Sequence, residues 1–230
     1  MARYFIELCY DGTGFGGFQI QSNQDTIQGS VENALHTFYR TPIALTGASR
    51  TDAGVHASGM IAHFDTHAIR GHKSWLLGSN TWLPKDIALR WIHPVSDDFH
   101  ARFKAVARRY RYVIFNSSIR PGLLRSHVSW QYRHLDHVAM HQASQILLGE
   151  HDFTSFRSVE CQSKSPVREV KFIKVHRTGH FVIIDIIANA FLHHMVRNIA
   201  GVLISIGSGK QSIQYVADVL KAKDRRLGAE

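Results

Sequence analysis

One loop of this 230-residue chain combines residue types that could perform covalent or electrostatic catalysis. Residues 49–57 read Ser-Arg-Thr-Asp-Ala-Gly-Val-His-Ala and lie between two apolar segments that are typical of strands. A rigid scaffold commonly presents functional side chains on such a loop, and Asp52 beside Arg50 could act as a nucleophile or as a charge-stabilising group. An Asx-type turn, in which Asp52 only binds nearby backbone amides, explains the same residues equally well.

Two other patterns suggest cofactor or metal chemistry but lack the surroundings that such sites need. The spacing Gly12-x-Gly14-x-x-Gly17 follows a predicted strand, as a dinucleotide-binding loop would. Neither a helical pattern nor a suitably placed acidic residue follows it, so the sequence favours a glycine-rich turn. His193 and His194 are the densest pair among 16 histidines, but neighbours on a predicted helix point about 100° apart. We therefore expect no metal site and no nucleotide cofactor.

The composition indicates a folded protein that binds a polyanion. The chain has 27 Lys and Arg against 18 Asp and Glu, a formal net charge of +9, with arginine twice as frequent as lysine. The planar guanidinium group holds phosphate through two hydrogen bonds and stacks on bases, which favours nucleic acid over a small anion or a merely solvated basic surface. The chain has 44% hydrophobic residues, no apolar run of membrane-spanning length and only two cysteines. We therefore expect a cytoplasmic protein without a membrane partner.

The first half is predicted to contain strands and an amphipathic helix. A strand over residues 3–10 leads into the glycine turn, and apolar residues between positions 27 and 38 recur at helical spacing. Asp25 followed by Gln28 resembles a capping box at the start of this helix. One strand over residues 43–46 precedes the polar loop and another follows it.

The second half is predicted to repeat this combination. In the strand over residues 108–115, Tyr110 and Tyr112 share one face, where they could also be ordinary core aromatics. A hairpin is predicted over residues 168–188. A long helix is predicted from about Asn189 to Gly207.

The order of these elements indicates the fold class. Apolar spacing predicts two more helices, over residues 135–146 and 213–220. Because strands and helices do not alternate regularly, we predict an α+β fold with mainly antiparallel sheets. We divide it into an N-terminal half, residues 1–104, which carries the catalytic loop, and a C-terminal half, residues 105–230.

Several motifs together closely resemble the tRNA pseudouridine(38-40) synthase A family. They are GASRTDAGVHA with AHFD after it, FHARFKAVARRYRYVIFN, LLGEHDFTSFR, ANAFLHHMVRNIAGVL and KAKDRR. The motifs follow the family's order from about residue 3 to residue 226. The resemblance implies two α+β halves whose antiparallel sheets join across a central catalytic cleft. It also implies a cofactor-free homodimer that converts uridine to pseudouridine at positions 38, 39 and 40 of the tRNA anticodon stem-loop.

The resemblance further implies roles for individual side chains. By this likeness Asp52 is the catalytic carboxylate and Arg197 is the cation that offsets its charge. Tyr110 corresponds to the tyrosine that stacks on the base and moves a proton, and Arg50 to the side chain that fills the gap left by the extruded base. RNA contacts of the family correspond to Arg70, Arg102 and parts of residues 99–103 and 160–164.

The sequence departs from the family pattern in two places. Ser49 stands where the family often has glycine, a small change that we expect to be tolerated. Relatives continue after the KDR motif into a further strand-like segment with a Gly-Leu-Tyr signature, whereas this sequence ends at Glu230. We expect either a truncated chain or a pocket that lacks one wall. The alternative function is therefore a non-catalytic basic RNA-binding protein on the same scaffold.

Overall fold

Two hydrophobic cores divide the chain into the units Met1–Ala105 and Val106–Glu230. The computed structural model describes residues 1–228, so the expectation about the chain end at Glu230 lies outside the described residues. Each unit has its own sheet, in which antiparallel pairing predominates, together with helices. The predicted α+β class is confirmed, and the joining of the sheets across a cleft stays a prediction. No helix of the described range is long and apolar enough to cross a bilayer.

The first unit is built on a four-stranded antiparallel sheet. Its elements are β1 (Ala2–Tyr10), α1 (Ile27–Tyr39), β2 (Thr46–Gly47), β3 (Ala57–Thr66), α2 (His72–Trp82) and β4 (Ile87–Val95). The strand order is β2-β3-β1-β4, which makes β1 a central strand. Alternate residues of β1 from Tyr4 to Tyr10 are buried, because successive side chains of a strand point to opposite faces. The Trp75 ring of α2 closes this core, with centroids 4.9 Å from Tyr4 and 3.8 Å from Tyr39.

The start of α1 differs from the prediction. Thr26 caps the helix, and its side-chain oxygen accepts a hydrogen bond from the Gly29 amide at 3.3 Å. The predicted capping box of Asp25 and Gln28 is wrong. Gln28 instead donates its side-chain amide to the carbonyl oxygen of Leu45 at 3.0 Å.

The same contact explains why the strand predicted over residues 43–46 begins only at Thr46, the first residue of β2. The Leu45 carbonyl accepts from Gln28, and its amide donates to the Glu32 carboxylate at 2.8 Å. Both main-chain groups of Leu45 are therefore used by helix side chains rather than by a neighbouring strand. In this segment only Thr46 and Gly47, which form β2, pair with β3 as a strand.

The second unit is built on a five-stranded sheet. Its strands are β5 (Arg108–Asn116), β6 (Ser129–Gln131), β7 (Gly149–Asp152), β8 (Val167–Thr178) and β9 (Phe181–Ala188). Its helices are α3 (His137–Ser144), α4 (Met195–Gly207), α5 (Tyr215–Ala222) and α6 (Arg225–Gly228), with 3₁₀ turns at Gln145–Leu147 and Thr154–Phe156. The strand order is β6-β5-β9-β8-β7, and only the β5–β6 pair of this described sheet is parallel. The predicted hairpin of β8 and β9 and the predicted strand β5 are confirmed.

The long helix α4 begins at Met195 rather than at about Asn189. Asn189 accepts hydrogen bonds through Oδ1 from the amides of Glu169 and Ala190, at 3.1 and 2.7 Å, which ties this segment to β8. His194 has a φ of +61°, a left-handed conformation that a helix does not continue through. The placement of two histidines on a helix is therefore wrong: they lie in the turn before it.

A buried carboxylate on β9 stabilises the sheet of the second unit. The Asp185 side chain is 8% exposed; Arg109 binds both of its carboxylate oxygens, and Arg111 donates to it at 3.2 Å. These hydrogen bonds, that from Arg109 foremost, hold the pKa of Asp185 below its ordinary value against the opposing effect of burial. The ionised form is therefore stabilised in the folded state.

We expect Asp185→Asn to lower the free energy of unfolding by about 1–3 kcal/mol near neutral pH, because charge-assisted hydrogen bonds are lost at a buried site. A lowered folded-state pKa contributes stability above the ordinary carboxyl pKa, and this stability is lost as the pH falls through the folded value. The difference in free energy of unfolding between wild type and Asp185→Asn should therefore become smaller below about pH 4. Urea unfolding across pH measures this, with exposed Glu150→Gln as the control. An undiminished difference in acid would contradict it.

Candidate active site

The polar loop of the first unit turns sharply at Asp52. The Val55 amide donates to the Asp52 carbonyl oxygen at 3.1 Å, and Gly54 has a φ of +75°, which glycine adopts without strain. This main-chain bond closes the turn without using the Asp52 carboxylate. The Asp52 side chain is half-buried. The loop can therefore hold a carboxylate in a fixed place while leaving it accessible.

The glycine-rich segment supports this loop through close backbone approach. A Cβ atom on Gly12 would lie 2.1 Å from the Val55 carbonyl oxygen. Gly17 has a φ of +97°, and a Cβ there would lie 2.7 Å from the Thr51 carbonyl oxygen. Both positions exclude larger residues because the Asp52 loop occupies the space. The prediction of a glycine-rich turn is confirmed, and its spacing serves to pack one loop on another.

Main-chain hydrogen bonds join the two loops. The Phe18 amide donates to the Thr51 carbonyl at 2.9 Å, and the Gly54 amide donates to the Phe15 carbonyl at 3.4 Å. These bonds lie on both sides of Asp52 in the sequence. Together with the close approach at the glycines, they fix the loop to the segment that follows β1.

Side chains at the end of β1 hold the loop as well. The Tyr10 hydroxyl and the Thr51 hydroxyl are 2.9 Å apart and buried. The His56 Nδ1 atom lies 3.0 Å from the Asp11 carboxylate and 3.1 Å from the Gly12 amide nitrogen. Since one ring nitrogen either donates to the carboxylate or accepts from the amide, these contacts are alternatives that depend on the His56 tautomer and charge. These supports were not predicted from the sequence, in which the only signal was the presence of His56 in the loop motif.

Arg50 and Arg102 line one open depression of about 280 Å³ in the first unit. Arg50 is exposed and lies two residues before Asp52 on the fixed loop. Phe103 is 79% exposed and stacks on His100, with ring centroids 4.2 Å apart. Guanidinium groups beside an accessible aromatic face are typical of surfaces that bind unpaired RNA.

The segment that carries Arg102 is positioned by a buried histidine. His63, 5% exposed, accepts a hydrogen bond through Nδ1 from the Ala101 amide at 3.2 Å. Burial first, and then the charges of His100 and Arg3, lower the pKa of His63, so the ring stays neutral and its nitrogen can accept. This role of His63 was not predicted from the sequence. Arg70 is exposed and lies outside the residues that line the depression.

The two tyrosines of β5 have different surroundings in the second unit. The Tyr112 hydroxyl is 2.7 Å from the Ser129 hydroxyl, a bond that joins β5 to β6. Tyr110 is half-buried and packs edge-to-face against Phe191, with ring centroids 5.0 Å apart. The Tyr112 hydroxyl thus has a structural role in joining two strands. The contact with Phe191 instead fixes the orientation of the Tyr110 ring.

Arg197 is an exposed residue in the first turn of α4. The positive end of the helix dipole disfavours a cation there, and this turn contains no acidic residue. Helix stability therefore does not account for an arginine at this position. The side chain is available to bind an anionic group.

Comparison with known proteins gives concordant matches. A family model of tRNA pseudouridine synthase matches residues 143–229. The chain is 57% identical over 228 residues to tRNA pseudouridine synthase A of Legionella pneumophila (strain Corby), covering 99% of this chain and 87% of that protein. It is 56% identical over 227 residues to tRNA pseudouridine synthase A of Shewanella sp. (strain W3-18-1), and 55% identical over 227 residues to that of Shewanella baltica (strain OS223). Both matches again cover 99% of this chain and 87% of the relative.

Proposed function

The chain belongs to the tRNA pseudouridine synthase A family and isomerises uridine to pseudouridine in tRNA, and we propose that Asp52 is the carboxylate on which this reaction depends. The proposed targets are positions 38, 39 and 40 of the anticodon stem-loop. The observation that carries the assignment of Asp52 is its loop, held by main-chain bonds on both sides and flanked by a depression lined with Arg50 and Arg102. Catalysis needs this kind of fixed geometry.

The reaction rearranges one nucleotide without gain or loss of atoms. The bond between C1′ and N1 breaks, the base turns, and a bond forms between C1′ and C5. C5 loses a proton and N1 gains one, so no electrons are transferred to or from another molecule. The protein has to supply access to the base, positioning, and stabilisation of charge.

Asp52 is proposed to meet the requirement for charge stabilisation in one of two ways. Its carboxylate attacks the sugar or the base, or it stabilises positive charge that develops on the ribose. Both roles need an ionised group in a partly desolvated place, and Asp52 is half-buried. Such a group is stabilised by a nearby cation, the role proposed for Arg197.

Access requires the target base to leave the helical stack, and we assign Arg50 to this step. Arg50 is exposed, lies on the fixed loop two residues before Asp52, and lines the depression with Arg102. A planar guanidinium group can stack between bases and occupy the vacated space. Tyr110, whose ring orientation is fixed by Phe191, is proposed to stack on the extruded base. Arg70 and Arg102 are proposed to contact RNA.

The protein is further proposed to act in the cytoplasm as a cofactor-free homodimer that gathers one tRNA across both subunits.

Release of tritium from tRNA labelled at C5 of uridine tests the function directly, because C5 loses its hydrogen only when the new bond forms. Release from tRNA with uridine at positions 38 to 40, and not from tRNA lacking it there, is the expected result. Tight tRNA binding without release would favour the non-catalytic RNA-binding alternative.

We expect Arg50→Ala to slow pseudouridine formation at least about tenfold in single turnovers at saturating tRNA. Base extrusion costs a few kcal/mol, and the inserted side chain offsets part of this cost. A tRNA with a mismatch at the target uridine serves as a control, because extrusion of a mismatched base requires less free energy. The ratio of the wild-type rate to the Arg50→Ala rate should therefore be smaller on this tRNA. Lys85→Ala, which removes an exposed charge of the same unit, should leave the rate unchanged. An equal defect on matched and mismatched tRNA would rule out the extrusion role.

A further inference from the structure

The connection between the parallel strands β5 and β6 is unusual. Ile114 pairs with Ser129 and Asn116 with Gln131, and the chain between them, residues 117–128, forms exposed turns without a helix. Parallel strands need a crossover connection, which is usually helical. Long connections without secondary structure of their own are uncommon in compact domains and often carry function.

The base of this crossover is fixed by specific hydrogen bonds. Asn116, 6% exposed, donates through Nδ2 to the carbonyl oxygens of Gln131 and Arg133 at 2.9 and 2.6 Å. The Trp130 indole nitrogen donates to the Ser117 carbonyl at 2.8 Å, which sets the orientation of the ring. The ring is nevertheless 47% exposed. The crossover therefore presents an accessible aromatic face that is already oriented.

A depression of about 620 Å³ lies beside this ring. Its lining includes Arg120, Arg125 and Trp130, together with Pro121 and Val128. Neither arginine forms an ion pair with a carboxylate of the described residues 1–228. Two exposed guanidinium groups and one indole thus share a concave surface in the second unit.

The sequence around this surface has a large excess of positive charge. Between Asp98 and Asp136 the chain contains eight Arg and Lys residues and no Asp or Glu, while the net charge of the whole chain is +9. Of these cations, Arg109 and Arg111 bind Asp185. Arg120 and Arg125 have no such neutralising partner in the described structure, so their surface attracts anions.

We propose that Arg120, Arg125 and Trp130, here called the crossover site, bind an unpaired RNA nucleotide, with phosphate held by the arginines and the base stacked on the indole. The proposal rests on the proposed function, because tRNA supplies the RNA. Arginine binds phosphate through paired hydrogen bonds, and an aromatic face accepts any base. The site lies at the opposite end of β5 from Tyr110, about 20 Å along the strand.

The apolar residues of the crossover suggest the competing occupant, a protein. Leu123 is 99% exposed and Ile119 is 75% exposed. Neither lines the depression, whereas both unneutralised arginines and the indole do. Charge complementarity at the depression itself therefore favours RNA.

The test measures affinity for a tRNA transcript over a range of salt concentrations. Arg120→Ala/Arg125→Ala should bind about tenfold more weakly, and its plot of log K against log salt should be shallower by about 1.5, because two phosphate contacts are lost. Trp130→Ala should also bind about tenfold more weakly but keep the wild-type slope, because stacking releases no counterions. Trp130→Phe should retain most of the affinity. Lys210→Ala/Lys221→Ala removes two exposed charges elsewhere in the unit and is the matched control.

Equal affinity and slope in the arginine variant and the lysine control would overturn the proposal. Normal tRNA binding together with a changed sedimentation coefficient would show that the surface contacts protein, and would overturn it as well. If wild type releases no tritium but the crossover variants still lose tRNA affinity, the proposed function fails and the crossover site stands.

Discussion

Asp52→Ala and Asp52→Asn are expected to abolish pseudouridine formation while changing tRNA affinity by less than about tenfold, or ~1.4 kcal/mol. The carboxylate is the only group assigned to covalent or charge-stabilising catalysis. One carboxylate contributes little attraction to a phosphate-binding surface and can repel RNA, so its removal spares binding. The loop should persist in both variants, because the Val55 amide bonds to the main-chain oxygen of residue 52 rather than to its side chain. Tritium release and filter binding on the same preparations measure the two quantities.

Two further substitutions test whether the position of the Asp52 carboxylate, and not its charge alone, is required. Asp52→Glu should be nearly inactive, since an added methylene moves the carboxylate by more than the ~1 Å that catalytic positioning tolerates. Asp25→Asn, an exposed acid of the same unit that is placed in no step of the reaction, should keep wild-type activity and affinity. A normal rate in Asp52→Ala would remove the catalytic assignment. A large loss of affinity would mean that Asp52 organises the RNA-binding surface.

The elements with strong periodicity could be predicted from the sequence, and those held by tertiary contacts could not. The alternation of β5 and the spacing in α1 reflect one buried face each, so the pattern is local. Helix α2 buries only Trp75 and Ser79 from its own residues, which leaves almost no periodic signal. Strand β4 includes Pro94, and a register shift opposite Glu7 and Leu8 breaks its alternation.

In the candidate site too, the loop itself could be predicted from neighbouring residues, whereas the contacts that support it could not. The Asp52 loop stands out because polar and small residues are concentrated between two apolar segments. Its supports are separated from it by long stretches of sequence: the Tyr10 hydroxyl reaches Thr51 across 41 positions. His63 likewise positions Ala101 across 38 positions. Contacts at such separations depend on strand pairing and have no signature in either segment alone.

Gly12→Ala is expected to lower the rate of pseudouridine formation about a hundredfold, although Gly12 is placed in no chemical step. The new Cβ would lie 2.1 Å from the Val55 carbonyl oxygen, so one backbone has to move by about 1 Å to restore a normal contact. Val55 is bonded to Asp52 by the turn hydrogen bond, and the displacement therefore reaches the catalytic carboxylate. A misplacement of this size costs about 10²-fold in rate. Overpacking should also reduce the free energy of unfolding by about 1–3 kcal/mol.

Gly14→Ala is the matched control, because it makes the same chemical change two residues away in the same glycine-rich segment. A Cβ at Gly14 meets no heavy atom within 4 Å, so the added methyl group should leave the rate unchanged and should not reduce stability. Single-turnover rates of the two variants at saturating tRNA, with urea unfolding of each, separate a displaced loop from a general loss of structure. The proposed support of Asp52 requires Gly12→Ala to stay slow at temperatures where it is fully folded. If its rate instead matches that of Gly14→Ala, the glycine segment does not position the catalytic loop, and the loop has to adjust to the extra carbon without moving the carboxylate.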